Sequence, residues 1–172
     1  MGPVVDRELT TFLFRPFRTS ITFANLRETG QGVFHVTDDV ELIARAAIGT
    51  LENLPDMIPA QQMRGSVLAD CCRWFEFEVT KIDDSRERTE IQTRILHTGH
   101  RRDFWGFNRA KHAVLEAAIL ATRLHLVTGE EVRRQLEQLA VIVEKTAGDQ
   151  ERRAFTLLRG YVADRTADSS PR

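Results

Sequence analysis

The chain has 172 residues, 42% hydrophobic and 28% charged, which are the proportions of a globular domain able to bury roughly 70% of its unfolded surface without a disulfide or metal staple. Its 24 basic and 25 acidic residues leave a formal net charge of −1, and this argues against nucleic acid or an anionic membrane as partner, because either selects a clustered basic excess. No apolar run reaches the ~20 residues of a membrane span, and Met1-Gly2-Pro3 leads into strand-like sequence without a secretory leader, so the expected location is the cytoplasm.

The first zone, residues 1–50, alternates short strands with short helices. Leu9 to Phe14 reads as a strand with Phe12 and Phe14 on one face, ended by Pro16. Thr19 or Ser20 can cap a helix through Leu26 that stops at Gly30. Val33 to Thr37 is a second strand, with His35 half-buried. Asp38 and Glu41 form a capping box for a helix expected to turn Leu42, Ile43, Ala46 and Ala47 inward and to stop at Gly49.

Residues 51–70, with Pro55, Pro59 and Gly65, read as a loop or irregular excursion. The adjacent Cys71 and Cys72 read as reduced thiols, because a vicinal disulfide is strained and a redox pair usually has two residues between its sulfurs. Phe75, Phe77 and Val79 alternate with Glu76, Glu78 and Thr80, which predicts a strand with one buried face. Asp83-Asp84-Ser85 is a turn. The return strand carries Thr89, Ile91, Thr93 and Ile95 on one face, so 73–98 is expected to be a long antiparallel hairpin. His97 and His100 fall at its end and turn, without the acidic or cysteine neighbours that a metal site needs.

From Phe107 the pattern is helical. One helix is expected near 108–126. A second starts at the capping box of Thr128 and Glu131 and buries Val132, Leu136, Leu139 and Val143. Asp149 is expected to cap a third, with Phe155, Leu158 and Val162 on one stripe. Residues 165–172 are polar and expected to form a disordered tail. Strands followed by helices make an α+β protein. The expected organisation is a single domain over 1–164, with sheet residues in 1–105 and helices in 106–164.

Two segments are candidates for anion chemistry. In Arg15-Pro16-Phe17-Arg18-Thr19-Ser20-Ile21-Thr22, two arginines precede hydroxyl residues at a helix start, where unpaired N–H groups and a partial positive charge favour phosphate. An ordinary capped helix with solvated arginines accounts for the same spacing. In Asn108-Arg109-Ala110-Lys111-His112, Asn108 is a cap, while Arg109, Lys111 and His112 put cations in a first turn that disfavours them. Either a ligand or acidic partners elsewhere would explain that. His112 and Glu116 are spaced for structural pairing. Trp74 and Trp105 are expected in a core or an interface.

These segments, with Asn25-Leu26, Gly32-Val33-Phe34-His35-Val36-Thr37-Asp38-Asp39 and Gly106 to Ile119, resemble the family called domain of unknown function 447, related to flavin reductase-like FMN-binding split barrels. The resemblance covers nearly the whole chain. It implies a split β-barrel (flavin reductase-like) with a helical C-terminal region, a homodimer, and FMN as cofactor. It carries flavin phosphate and ribityl contacts onto Thr19, Ser20, Thr22 and Asn25, with Arg15 and Arg18 as cations. Asn108, Arg109 and His112 match the family's own motif and are expected on the flavin or substrate side. The implied function is a flavin-dependent oxidoreductase-like protein acting on an unidentified small molecule, linked to methanopterin-type one-carbon metabolism. The alternatives are a non-catalytic binding module for flavin or another phosphorylated ligand, and an interaction protein. No residue stands out as an obligatory acid, base or nucleophile. Family members usually open with a β-hairpin before a motif like the one at Met1-Gly2-Pro3, so the chain is expected to be short of it by ~15–20 residues, through a misassigned start codon, as the simplest cause, or a real truncation.

Overall fold

The computed structural model describes residues 2–167. In chain order the elements are β1 (Val4–Val5), β2 (Thr11–Phe14), α1 (Ile21–Thr29), β3 (Gln31–Val36), α2 (Val40–Ile48), β4 (Met57–Pro59), β5 (Ser66–Leu68), β6 (Arg73–Asp83), β7 (Glu90–His100), α3 (Arg109–Ala121), α4 (Gly129–Thr146) and α5 (Asp149–Ala167). They fall into two compact units. One runs up to Thr37 and resumes over Pro55–Phe104; the other takes Asp38–Leu54 and the chain from Trp105 onward. The sequence boundary at 105 therefore needs a correction, because α2 belongs to the helical unit and its buried residues join that unit's core.

The first unit is an antiparallel sheet in the order β1-β2-β7-β6-β3, with β4 and β5 as a separate pair. One face is aromatic. The rings of Phe12, Phe14, Phe34, Phe75 and Phe77 lie 5.0 to 6.5 Å apart between centroids, and such pairs contribute about 0.5–1.5 kcal/mol each beyond their burial. Phe23 and Leu26 of α1 close over this face beside Phe77 and Ile91. Helix α1 is defined at both ends. Ser20 Oγ accepts the Phe23 N–H at 3.2 Å, and Gly30 ends the helix at φ 65°, a left-handed conformation that glycine adopts without strain.

The other face packs Val67, Cys71 and Trp74 with Val33, Ile58, Ala60 and Leu68. Residues 51–70 are thus not simply an irregular excursion: β4 and β5 form a hairpin that covers the sheet. Its cover changes the reading of β6. Alternation predicts Glu76 on a solvated face, yet it is 0% exposed because the hairpin lies on its side of the strand. Gly99, paired with Trp74, is required for packing, since a Cβ there would fall 2.0 Å from the indole. The hairpin of β6 and β7 extends to His100, so His97 and His100 both belong to β7 and not to a turn.

The second unit buries the apolar stripes of four helices. Val132, Leu136, Val143, Phe155, Leu158 and Val162 are buried as their spacing requires. Helix α2 differs from expectation. Asp39, not Asp38, caps it, accepting the Leu42 N–H at 2.9 Å, and the shift by one residue buries Val40, Ala44 and Ile48. Helix α3 ends at Ala121, and residues 122–126 turn tightly instead of continuing it. Asp149 is the first residue of α5 and not its cap; Glu151 accepts the Gly148 N–H at 2.8 Å. Of the expected tail, 165–167 complete α5, and 168–172 lie outside the described residues, as does Met1. No helix is long and apolar enough to cross a membrane among the described residues.

Candidate functional site

The approach to α1 is stitched to the far end of the β6–β7 hairpin. Pro16 O accepts the Thr89 N–H at 3.0 Å and the Thr89 hydroxyl at 2.9 Å, and the Arg18 N–H donates to Glu87 O at 2.9 Å. The Arg88 guanidinium lies over the Phe17 ring, 4.1 Å from its centroid. These bonds hold the chain entering α1 without using the side chains of Arg18 and Thr19, which stay exposed. Arg15 is engaged: its Nε lies 3.1 Å from Glu90 Oε1.

Beside α1 and the start of β3 is a cleft of about 570 Å³. Thr22 and Asn25, one turn apart on α1, line it with Thr29, Gln31, Gly32 and Arg64. No carboxylate is among its lining residues, and Arg64 has no ion pair among the described residues. Polar side chains, a guanidinium without a carboxylate partner and no acidic neighbour make a setting in which an anion gains charge-assisted hydrogen bonds. The structure brings Thr22 and Asn25 to this cleft. Arg15, Arg18, Thr19 and Ser20 stand at the helix approach and do not line it. Arg64 is the residue that sequence reading missed.

A second cleft, of about 440 Å³, opens elsewhere on the aromatic face. Phe12, Phe34 and Phe75 form its floor, with Arg73, His100 and Arg102 at its polar side. Arg102 binds Asp70 at 2.7 Å and donates to Cys72 Sγ at 3.2 Å. Cys71 and Cys72 are buried thiols that are not joined in a disulfide, and burial, then the adjacent Cys72, pushes the Cys71 thiol up from its ordinary value. That opposes thiolate chemistry.

In the helical unit, Asn108 Oδ1 accepts the Lys111 N–H at 3.0 Å and so caps α3. Lys111 Nζ donates to Asp38 O at 2.7 Å and lies 3.3 Å from Asp38 Oδ2 and 3.8 Å from Glu151 Oε1. Its charge is therefore spent on two nearly buried carboxylates. Arg109 and His112 are exposed, and His112 Nε2 stands 3.9 Å from Glu116 Oε1. The groove of about 460 Å³ in this unit is lined from α4 and α5, by none of these residues. Trp74 is a core residue, whereas Trp105 is 90% exposed and not part of a core in this chain. His35 is half-buried as expected, and its Nε2 accepts the Leu68 N–H at 3.1 Å. Burial holds its pKa below the usual 6.5.

An α+β protein with an antiparallel sheet and an acid-free polar cleft beside a helix is the class that fold and site define. The chain belongs to the family described as protein of unknown function DUF447: the family's N-terminal domain matches residues 1–102 and its C-terminal region residues 108–160. Among solved structures it is similar to an FMN-bound protein of this family from Methanosarcina mazei, at 23% identity and a TM-score of 0.77, over 94% of this chain and 85% of that one. It is also similar to the flavin reductase HpaC complexed with NADP+, at 16% identity and a TM-score of 0.50, over 62% of this chain and 69% of that one. A homologue of nitrilotriacetate monooxygenase component B from Mycobacterium thermoresistibile aligns at 11% identity and a TM-score of 0.49, over 60% of this chain and 59% of that one. No curated protein matches the chain.

Proposed function

We propose that this chain binds FMN with the phosphate end in the cleft formed by Thr22, Asn25 and Arg64, as a flavin-dependent, oxidoreductase-like protein acting on an unidentified small molecule. One observation carries the reading: an arginine without an ion pair among the described residues shares an acid-free cleft with hydroxyl and amide side chains. A phosphate monoester uses that donor set fully, and the exposed Arg18 and Thr19 at the approach to α1 add donors at its rim. The aromatic floor of the second cleft supplies the kind of wall a planar ring needs. Arg15 and Ser20 stay in the proposal through the family resemblance, beside the structural roles already described, and Asn108, Arg109 and His112 stay in it as flavin or substrate contacts on the resemblance alone. FMN, when bound, supplies hydride chemistry, and the protein's share is binding and orientation. A split barrel, a homodimer, a cytoplasmic setting and the link to methanopterin-type one-carbon metabolism complete the proposal on that resemblance alone.

Titration of the purified protein with FMN and riboflavin tests the reading. FMN is expected to bind at least tenfold more tightly, because only it carries the phosphate that Arg64 would meet. Colourless protein that ignores added FMN ends the proposal. A non-catalytic binding module is the second reading, favoured because the cleft is lined by no histidine, carboxylate, lysine, cysteine or tyrosine and its one charged group, Arg64, stays protonated. Bound FMN that neither nicotinamide cofactor reduces would select it.

A further inference from the structure

Glu76 is a carboxylate fully enclosed in the sheet unit, and none of the ion pairs found among the described residues includes it. Burying such a group is costly unless hydrogen bonds satisfy it. Three donors do so here. Oε1 accepts the Gln61 N–H at 2.8 Å and the Trp74 indole N–H at 3.1 Å, and Oε2 accepts the Gln62 N–H at 2.6 Å. Two of the three are consecutive backbone amides of the turn between β4 and β5. That turn is closed at its base by the Ala60 N–H on Gly65 O at 3.0 Å, and it delivers Met63 and Arg64 into the cleft that Thr22 and Asn25 line. An apolar residue at 76 would serve the sheet more cheaply, but it would leave both amides without a partner. What the carboxylate adds is the fixed position of the turn.

We propose that Glu76 is a positioning residue for anion recognition: by clamping the amides of Gln61 and Gln62 it holds Arg64 at the cleft and so sets selectivity for a phosphate-bearing ligand. The inference rests on the reading of the cleft given above. Burial pushes the carboxyl up, but the amides of Gln61 and Gln62 and the Trp74 indole outweigh it and hold it below 4.5, so the clamp is an ionised group at neutral pH. Glu76 acts on the ligand only through Arg64. An order lost in the turn therefore shows in phosphate affinity and not in affinity for the rest of the ligand.

The test measures dissociation constants for FMN and riboflavin with wild type, Arg64→Ala, Glu76→Gln and the double variant. Arg64→Ala is expected to weaken FMN about tenfold or more while leaving riboflavin within about twofold. Glu76→Gln keeps the shape but removes the charge, and is expected to weaken FMN about fivefold with riboflavin unchanged. The double variant is expected to match Arg64→Ala, because a clamp has no further effect once the held group is gone. In the wild type, FMN but not riboflavin is expected to slow hydrogen exchange over 61–64, a readout that needs no variant to fold. FMN binding that Arg64→Ala leaves unchanged overturns the reading of the cleft and the inference with it. FMN binding that depends on Arg64 but not on Glu76 overturns the inference alone. So does equal loss of both flavins in Glu76→Gln, additive loss in the double variant, or exchange over 61–64 that FMN does not alter.

Discussion

The two basic segments, 15–25 and 108–112, look alike in sequence: each sets cations and a polar cap at a helix start. Their neighbours make them different. At α1 the cap is Ser20, leaving Thr22 and Asn25 to face a cleft, and the cation there comes from a separate hairpin as Arg64. At α3 the cap consumes Asn108, and Lys111 is consumed by Asp38 and Glu151. A helix start is only the opportunity for an anion site. Whether its charges are already neutralised within the protein decides if the opportunity is used.

Substituting Lys111 sharpens that contrast most strongly. Lys111→Met removes the ammonium that stands beside Asp38 and Glu151, each nearly buried, and is expected to cost about 2–3 kcal/mol in denaturant unfolding. The FMN affinity of the folded protein should stay the same, and a lost affinity at unchanged stability would return Lys111 to the ligand. Asn25→Ala and Thr22→Ala come next. Each is expected to weaken FMN about fivefold at unchanged stability, corresponding to about 1 kcal/mol for one hydrogen bond. Arg109→Ala and His112→Ala are the matched controls at α3. The family resemblance predicts a loss of about twofold for each, and no change in affinity would remove both from the proposed site.

Acid offers a further way to separate the regions. His35 accepts the Leu68 N–H through Nε2, so protonation breaks a bond that fastens β5 to the sheet. Its folded pKa is depressed, hence the stability it contributes is present above about 6.5 and is lost as pH falls through the folded value. The same sign holds for Glu76, at pH below its ordinary 4.5. A smaller protection factor for the Leu68 amide, measured against its intrinsic exchange rate at each pH, is therefore expected as the pH falls below about 6.5, a loss of about 1 kcal/mol of local protection. Protection in α4 should not follow, and parallel loss of both would mean that the histidine is not the cause.

Much of the fold was legible because local chemistry and tertiary structure agree. The period of two in β6 and β7, the caps at Ser20, Asn108 and Thr128, the left-handed glycines at 30 and 49 and the stripe of Phe155, Leu158 and Val162 all report on neighbours close in sequence. Helix α2 shows the limit of that logic. Asp38 and Asp39 are both competent caps, and choosing the second turns a different face inward.

By itself, the sequence determined the α+β class, the long hairpin, the helical C-terminal half, the family and the segment that begins the proposed site. Only the tertiary structure decided which cation meets that segment. Glu76 looks solvated because alternation describes one strand, while burial depends on what covers it. Arg64 looks like loop because nothing near it in the chain says that β4 and β5 fold over the sheet. The balanced net charge hid the same fact. It says how many cations have acidic partners available, and not which of them stands in a cleft without one.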